Sequence, residues 1–275
     1  MELKRRAAIN GAQLDEIDSR ILIQGIEPAA GKESSSAVTI WGADGSRVTG
    51  RHREYLDVEI QFSLDIRGEH YAERGEILEK INAWATGVGT VKTNGGNVLT
   101  VSTKPGRKLV VVPWQLPGDG DALKWTNRFT ITFRAYGVPY WQDEIGSILR
   151  VLDADSVNRQ LGVPGNREST LDAEFENTSG ARIDTFTIRT PISVLQFENL
   201  GLKNKETLVI GHADDGQRNL LRLYIIDRDG GTRSAMDKRT TGSSDDLRTE
   251  SGTIRVRMSA GGSGTLLVTA AGRYA

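Results

Sequence analysis

Cysteine is absent from the 275 residues, which excludes disulfides and thiolate chemistry and is compatible with folding in a reducing cytoplasm. Histidine occurs three times, at His52, His70 and His212. They lie in separate segments, none with a partner four residues on, so zinc-site spacing is missing. No stretch approaches the ~20 apolar residues of a membrane span. The start, Met1-Glu2-Leu3-Lys4-Arg5-Arg6-Ala7-Ala8-Ile9, has positive charge but not the apolar run of a signal peptide. The formal net charge is -1. Neither a basic stripe for nucleic acid nor a charged tail for a membrane surface is present, so direct nucleic-acid recognition and membrane insertion are not expected. Tryptophan does not occur beyond Trp141.

Glycine, in contrast, is abundant, with 31 residues, as tight turns between short strands require. One run carries the most information. In Leu56-Asp57-Val58-Glu59-Ile60-Gln61-Phe62-Ser63-Leu64-Asp65-Ile66 every second residue is apolar, which predicts a long strand with one core face and one polar face. Gly68 breaks the run and the period then changes. Tyr71, Ile77, Leu78, Ile81, Trp84 and Ala85 share one side of a predicted helix, with Glu73, Glu76, Glu79 and Lys80 on the other and Gly87 placed to end it.

Around this strand and helix the pattern is β. Ile21-Leu22-Ile23 reads as a strand, Gly31 to Ser36 as a break, Val38-Thr39-Ile40-Trp41 as a second strand and Asp44-Gly45 as a turn. Lys104-Pro105-Gly106 predicts a hairpin between 98–101 and 109–112. Phe129, Ile131, Phe133 and Ala135 alternate in a strand expected to pair with the first long one. Composition shifts after Tyr136-Gly137-Val138-Pro139-Tyr140-Trp141. The chain is therefore read as mainly β: residues 1–143 a β-sandwich carrying one α-helix, residues 144–275 a second β-sandwich of jelly-roll or galectin-like type. Strands are predicted near 171–175, 186–188, 192–197, 207–210, 220–226, 253–258 and 266–269. The pattern also allows a short helix at 148–152, and the polar stretch 234–251 reads as a long surface loop.

Catalytic motifs are missing. Asp227-Arg228-Asp229-Gly230 resembles the opening of a calcium loop, but the twelfth position is Lys238 where an EF-hand needs Glu, so a hairpin turn is expected. His212-Ala213-Asp214-Asp215-Gly216 also reads as a turn. Gly87 and Gly89 follow a helix instead of opening one, which excludes a phosphate cradle. Trp84 belongs to the core. Trp114 and Trp125 flank Pro117-Gly118-Asp119-Gly120-Asp121 and are read as loop anchors, although an exposed one would favour partner or sugar contacts. No catalytic, cofactor-binding or metal-binding residue is assigned, and no partner-binding residue is singled out.

The order of these elements resembles the distal tail protein family of long-tailed phages. The resemblance rests on Ile21-Leu22-Ile23-Gln24-Gly25-Ile26 as a first strand and on Gly50-Arg51 before the long strand. It continues with Arg74 and Ile77-Leu78-Glu79-Lys80-Ile81-Asn82-Ala83-Trp84 as the single helix, then Pro105-Gly106-Arg107-Lys108-Leu109-Val110-Val111 as the hairpin. Phe129 to Ala135 and Pro139-Tyr140-Trp141 close the domain. In the second half, Glu206-Thr207-Leu208-Val209-Ile210 is similar to a turn and strand of the family's C-terminal sandwich, and Ser251-Gly252-Thr253-Ile254-Arg255-Val256 occupies the place of a Gly-Asn-x-Ile type motif, with Thr253 for Asn. The resemblance implies a structural virion protein at the tail tip. Six copies would form a ring joining the tail tube protein to tail-tip hub or baseplate proteins, with no cofactor and no enzymatic activity.

Two other readings compete. A carbohydrate-binding adhesin built from sandwiches would need an aromatic platform, and the second half offers only Tyr224 and Tyr274 besides phenylalanines within apolar strand patterns. A hydrolase would need paired carboxylates in a pocket.

Overall fold

The computed structural model describes residues 4–39, 46–66, 71–92, 95–118, 126–151, 156–214 and 219–274. The chain divides into two compact units, Met1–Trp141 and Gln142–Ala275. Among the described residues it is mainly β with one α-helix, as the two periods predict.

In the first unit the strands are β1 (Ala7–Ile9), β2 (Ala12–Gln13), β3 (Ile21–Thr39), β4 (Ser46–Leu64), β5 (Asn97–Val101), β6 (Arg107–Gln115) and β7 (Arg128–Ala135), with α1 at Tyr71–Ala85. They form an antiparallel sheet in the order β2-β1-β5-β6-β7-β4-β3. Leu56, Val58, Ile60, Phe62, Leu64 and Ile66 are all buried, so the alternating run does define one core face. β7 pairs with β4 through Val58–Phe133, Ile60–Ile131 and Phe62–Phe129. Each such large side chain withdrawn from water stabilises the fold by about 1.5–3 kcal/mol. The helix lays Ile77, Leu78, Ile81, Trp84 and Ala85 on this core. Trp84 meets Phe133 edge-on at 6.0 Å, and its indole N–H donates to the Ala12 carbonyl at 2.7 Å. Buried Arg74 fastens the helix start by donating to the carbonyls of Ile66 and Thr126.

Gly87 ends the helix with φ +69°. Its N–H donates to Trp84 O and that of Val88 to Ala83 O, the paired bonds of a Schellman turn. Any side chain at Gly87 would overlap Asn97 Oδ1. Asn97 is itself buried and donates to Ala85 O.

One element differs from expectation. Gly31 to Ser36 do not break the chain: β3 runs unbroken through them, paired with β4, and absorbs the irregularity as register shifts. Small polar residues read as a loop can continue a strand when a long partner supplies the hydrogen bonds. The expected turn at Asp44-Gly45, and Trp41, lie outside the described residues.

The second unit holds β9 (Ser147–Val151), β10 (Ser156–Leu161), β11 (Ser169–Thr170), β12 (Asp172–Asn177), β13 (Phe186–Arg189), β14 (Val194–Phe197) and β15 (Thr207–Asp214), after β8 (Trp141–Asp143) at the division. It continues with β16 (Asn219–Ile226), β17 (Thr232–Ser234), β18 (Arg248–Thr249), β19 (Gly252–Met258), β20 (Gly264–Ala270) and β21 (Arg273–Tyr274). A four-stranded sheet, β10-β19-β13-β14, and a six-stranded sheet, β17-β16-β15-β12-β20-β9, enclose a common core. Phe186 stands at its centre, 4.8 Å from the Phe175 ring and 6.3 Å from Phe197.

All seven predicted strands are present, and three details change. Residues 148–151 form strand, not helix, because their backbone pairs with the edge of β20. His212, Ala213 and Asp214 lie within β15 and not in a turn; Asp215-Gly216 are outside the described residues. The stretch 234–251 is less superficial than its polarity suggests, since Ala235, Leu247 and Thr249 are buried and β18 pairs with β11. The hairpin at Asp227 is as expected. Its carboxylate accepts from the N–H groups of Asp229 and Gly231, and Gly230 takes φ +85°.

Candidate functional site

Two surfaces of the first unit stand out, one of backbone and one of side chains. β3 ends the sheet, so beyond β4 it has no strand neighbour among the described residues. β4 contacts β7 only from Asp57 onward. Residues 46–56 therefore pair with β3 alone among the described residues, as a two-stranded ribbon about 35 Å long at ~3.3 Å per residue. An isolated two-stranded ribbon is marginal in water, and a long free edge is a template for another chain.

The second surface is an aromatic clasp on the polar face of the sheet. Arg134 on β7 stands opposite Asp57 on β4 and binds it through Nε and a terminal nitrogen, both at 2.8 Å. The hydrogen bonds to Asp57 hold the Arg134 pKa above its ordinary value, against the effect of burial. The same guanidinium stacks 3.5 Å from the Trp114 ring centre and 4.3 Å from that of Tyr55. Trp114 is 59% exposed, which corrects its reading as a buried anchor. The register of β6 shifts between Pro113 and Gln115, and Trp114 sits on the face opposite buried Leu109 and Val111. Parity with those residues was the sequence signal for this. Trp125 lies outside the described residues. Leu22 on β3 and Val88 and Val91 after the helix add exposed apolar side chains.

In the second unit, His212 is held between two carboxylates. Nδ1 lies 2.6 Å from Asp172 and Nε2 2.5 Å from Asp246, with the imidazole side chain 5% exposed. Burial alone would lower its pKa. The hydrogen bonds to Asp172 and Asp246 outweigh that and raise it to about 9. Burial would likewise raise Asp246, but His212 and Arg248 hold its pKa at about 2. Arg248 Nε donates to Asp246 at 2.9 Å. Both ring nitrogens are engaged, so the imidazolium has no free position from which to serve as a base for a nucleophile. This is a structural clamp joining β12, β15 and the segment before β18. The side chain of His52 and all of His70 lie outside the description. Among the described residues no three potential ligands converge on a metal position.

An open depression of about 490 Å³ is lined by Gly211, His212, Arg222, Tyr224 and Thr232. Tyr224 is half-buried there. A pair of carboxylates suited to glycoside hydrolysis is not part of its lining.

No protein-family model matches the chain, and no curated protein matches it in sequence. Solved structures do match in three dimensions. Two chains of the phage P2 baseplate in its activated conformation, with Ca and with Sr, align at TM-scores of 0.46 and 0.44 with 9% and 8% identity, over 97% of this chain and of each of theirs. The SPP1 Dit (gp 19.1) protein, described as a paradigm of the hub adsorption apparatus in phages infecting Gram-positive bacteria, aligns at a TM-score of 0.61 with 12% identity. The alignment covers 97% of this chain and 98% of that one, so the chain has the fold of the SPP1 Dit protein over nearly its whole length.

Proposed function

We propose that this chain is a structural subunit of a phage tail tip, acting in the virion as one of six copies in a ring. In this reading residues 1–143 build the ring and residues 144–275 project from it. The ring joins the tail tube protein on one side to tail-tip hub or baseplate proteins on the other. The observation that carries the reading is the likeness to SPP1 Dit along both units. The physical features agree with it. A ring subunit needs exposed strand edges and a contact surface that closes on itself. The free edge of β3, the ribbon it forms with β4, and the clasp of Trp114 on Arg134 supply such surfaces. Partner contacts of this kind need no cofactor and no catalytic group.

Light scattering of the purified chain, with electron-microscope images of the same sample, tests the proposal. The expected result is a six-fold ring. Shortening the β3–β4 ribbon by replacing residues 30–54 with a tight turn should yield monomers that retain their helix signal. A full chain that stays monomeric at high concentration and in the presence of tail tube protein would overturn the reading.

A further inference from the structure

The outer face of the four-stranded sheet carries a charge arrangement that its fold does not need. β13 and β19 pair antiparallel, with Arg189 directly opposite Arg255 and Thr187 opposite Arg257. Alternation sends Ile188, Ile254 and Val256 into the core and leaves all three arginines exposed. Like charges directly opposite on neighbouring strands destabilise a sheet. Other arginines of this unit are relieved by carboxylates, Arg182 by Asp184, Arg233 by Glu206 and Arg248 by Asp246. Among the described residues none of these three arginines has such a partner. The neighbouring outward positions are neutral: Asn158 and Gln160 on β10, Thr253 on β19 and Gln196 on β14. Thr187, Arg189, Gln196, Arg255 and Arg257 together line a cavity of about 180 Å³.

We propose that this face binds the phosphate groups of a phosphodiester-linked polyol polymer. Guanidinium forks present paired N–H donors that match phosphate oxygens. The Thr187 hydroxyl and Gln196 amide add neutral donors in the same cavity. Arg255 and Arg257 stand about 7 Å apart along one strand, so the row can meet more than one phosphate of a repeating chain. The flanking amides and hydroxyls suit the polymer's own hydroxyls. An acidic protein partner fits less well. The face has no aromatic side chain, and its one aliphatic residue, Val194, sits at the edge, so the desolvated apolar centre of a protein interface is missing. The inference does not depend on ring assembly, because the face belongs to the second unit alone.

The test uses the full chain and fluorescently labelled poly(glycerol phosphate), read by anisotropy. Saturable binding is expected, weakening as salt is raised and displaced by millimolar inorganic phosphate but not by dextran. Arg189→Gln and Arg255→Gln should each weaken binding at least tenfold. Arg222→Gln, on the other sheet, should leave it unchanged. The thermal midpoint of Arg255→Gln should hold or rise, because a like-charge contact is removed. Absence of binding, failure of phosphate to compete, or unchanged affinity in Arg255→Gln would overturn the proposal. Equal affinity for polyglutamate would assign the face to an acidic protein, and equal affinity for single-stranded DNA to polyanions at large; either result also overturns it. A fall in melting that accompanies lost binding would place the arginines in the fold and not in a site.

Discussion

Arg134 and Asp57 are joined across β7 and β4 by two parallel hydrogen bonds, and the guanidinium is covered on its faces by Trp114 and Tyr55. The pair is only partly exposed, so it is worth more than a surface ion pair. Asp57→Ala is expected to destabilise the first unit by about 2 kcal/mol, since it strands a half-buried cation. Chemical unfolding followed by tryptophan fluorescence measures this, and an unchanged midpoint would mean that the pair is fully solvated. Trp114→Ala should change stability by less than ~1 kcal/mol because the ring is mostly exposed. If the clasp is a ring contact, the same variant should raise the concentration needed for assembly.

The His212 clamp makes stability depend on pH in a defined sense. A histidine whose folded pKa is raised to about 9 from 6.5 contributes stability that is fully present below pH 6.5. That stability is lost as pH rises through 9. Asp246, lowered to about 2 from 3.8, contributes stability present above pH 3.8 and lost as pH falls through 2. The thermal midpoint of the second unit should therefore be flat from pH 4 to 6 and decline from pH 7 to 10. The full effect is at most about 3 kcal/mol, at 1.36 kcal/mol per unit. His212→Gln should remove the alkaline slope; a slope that persists would assign it to another group.

Ile81→Asp should unfold the first unit. Ile81 is fully buried on the helix face that packs on the sheet, and an unpaired carboxylate there costs several kcal/mol, comparable to the stability of a domain. Loss of the cooperative melting transition is the expected readout. A variant that melts like the parent would show that the helix leaves its sheet at little cost.

A chain ending at Asp143 is expected to fold and, in the proposed assembly, still to form rings. The division between the compact units falls at Trp141 and Gln142, so the cut keeps strands β1 to β7 and the helix. Light scattering decides the matter. Monomers from the truncated chain alongside rings from the full one would make the second unit part of the ring contact.

Much of this architecture was legible because periodicity reports burial directly. The alternation at 56–66 and the helical stripe at Ile77, Leu78, Ile81 and Trp84 needed no partner information. What escaped depended on partners. Gly31 to Ser36 belong to a strand only because β4 lies beside them. One miss was local instead: the Asn10-Gly11 turn, with φ of +51° and +88°, was a readable hairpin signal that went unread between two very short strands. His212 was read as the start of a turn and not as a clamp, because its two carboxylates come from 40 residues before and 34 residues after it. The arginine face was hidden for the same reason, since Arg189 and Arg255 become neighbours only through the register of β13 and β19.

The order of the first sheet has a consequence for how the chain is made. Of the seven strands on the path β2-β1-β5-β6-β7-β4-β3, β7 is the last to leave the ribosome, yet it lies in the interior, between β6 and β4. Until it emerges, the β3–β4 and β5–β6 hairpins each keep an unpaired edge where β7 will later add Phe129, Ile131 and Phe133. Synthesis thus passes through an interval in which two sticky half-sheets await their keystone, the condition under which nascent β chains aggregate. Ribosome-bound chains stalled before Arg128 has emerged should be cut readily by protease, whereas those that expose Ala135 should resist. Insertion of the final strand, and not growth from either end, is then the step that commits this unit to its fold.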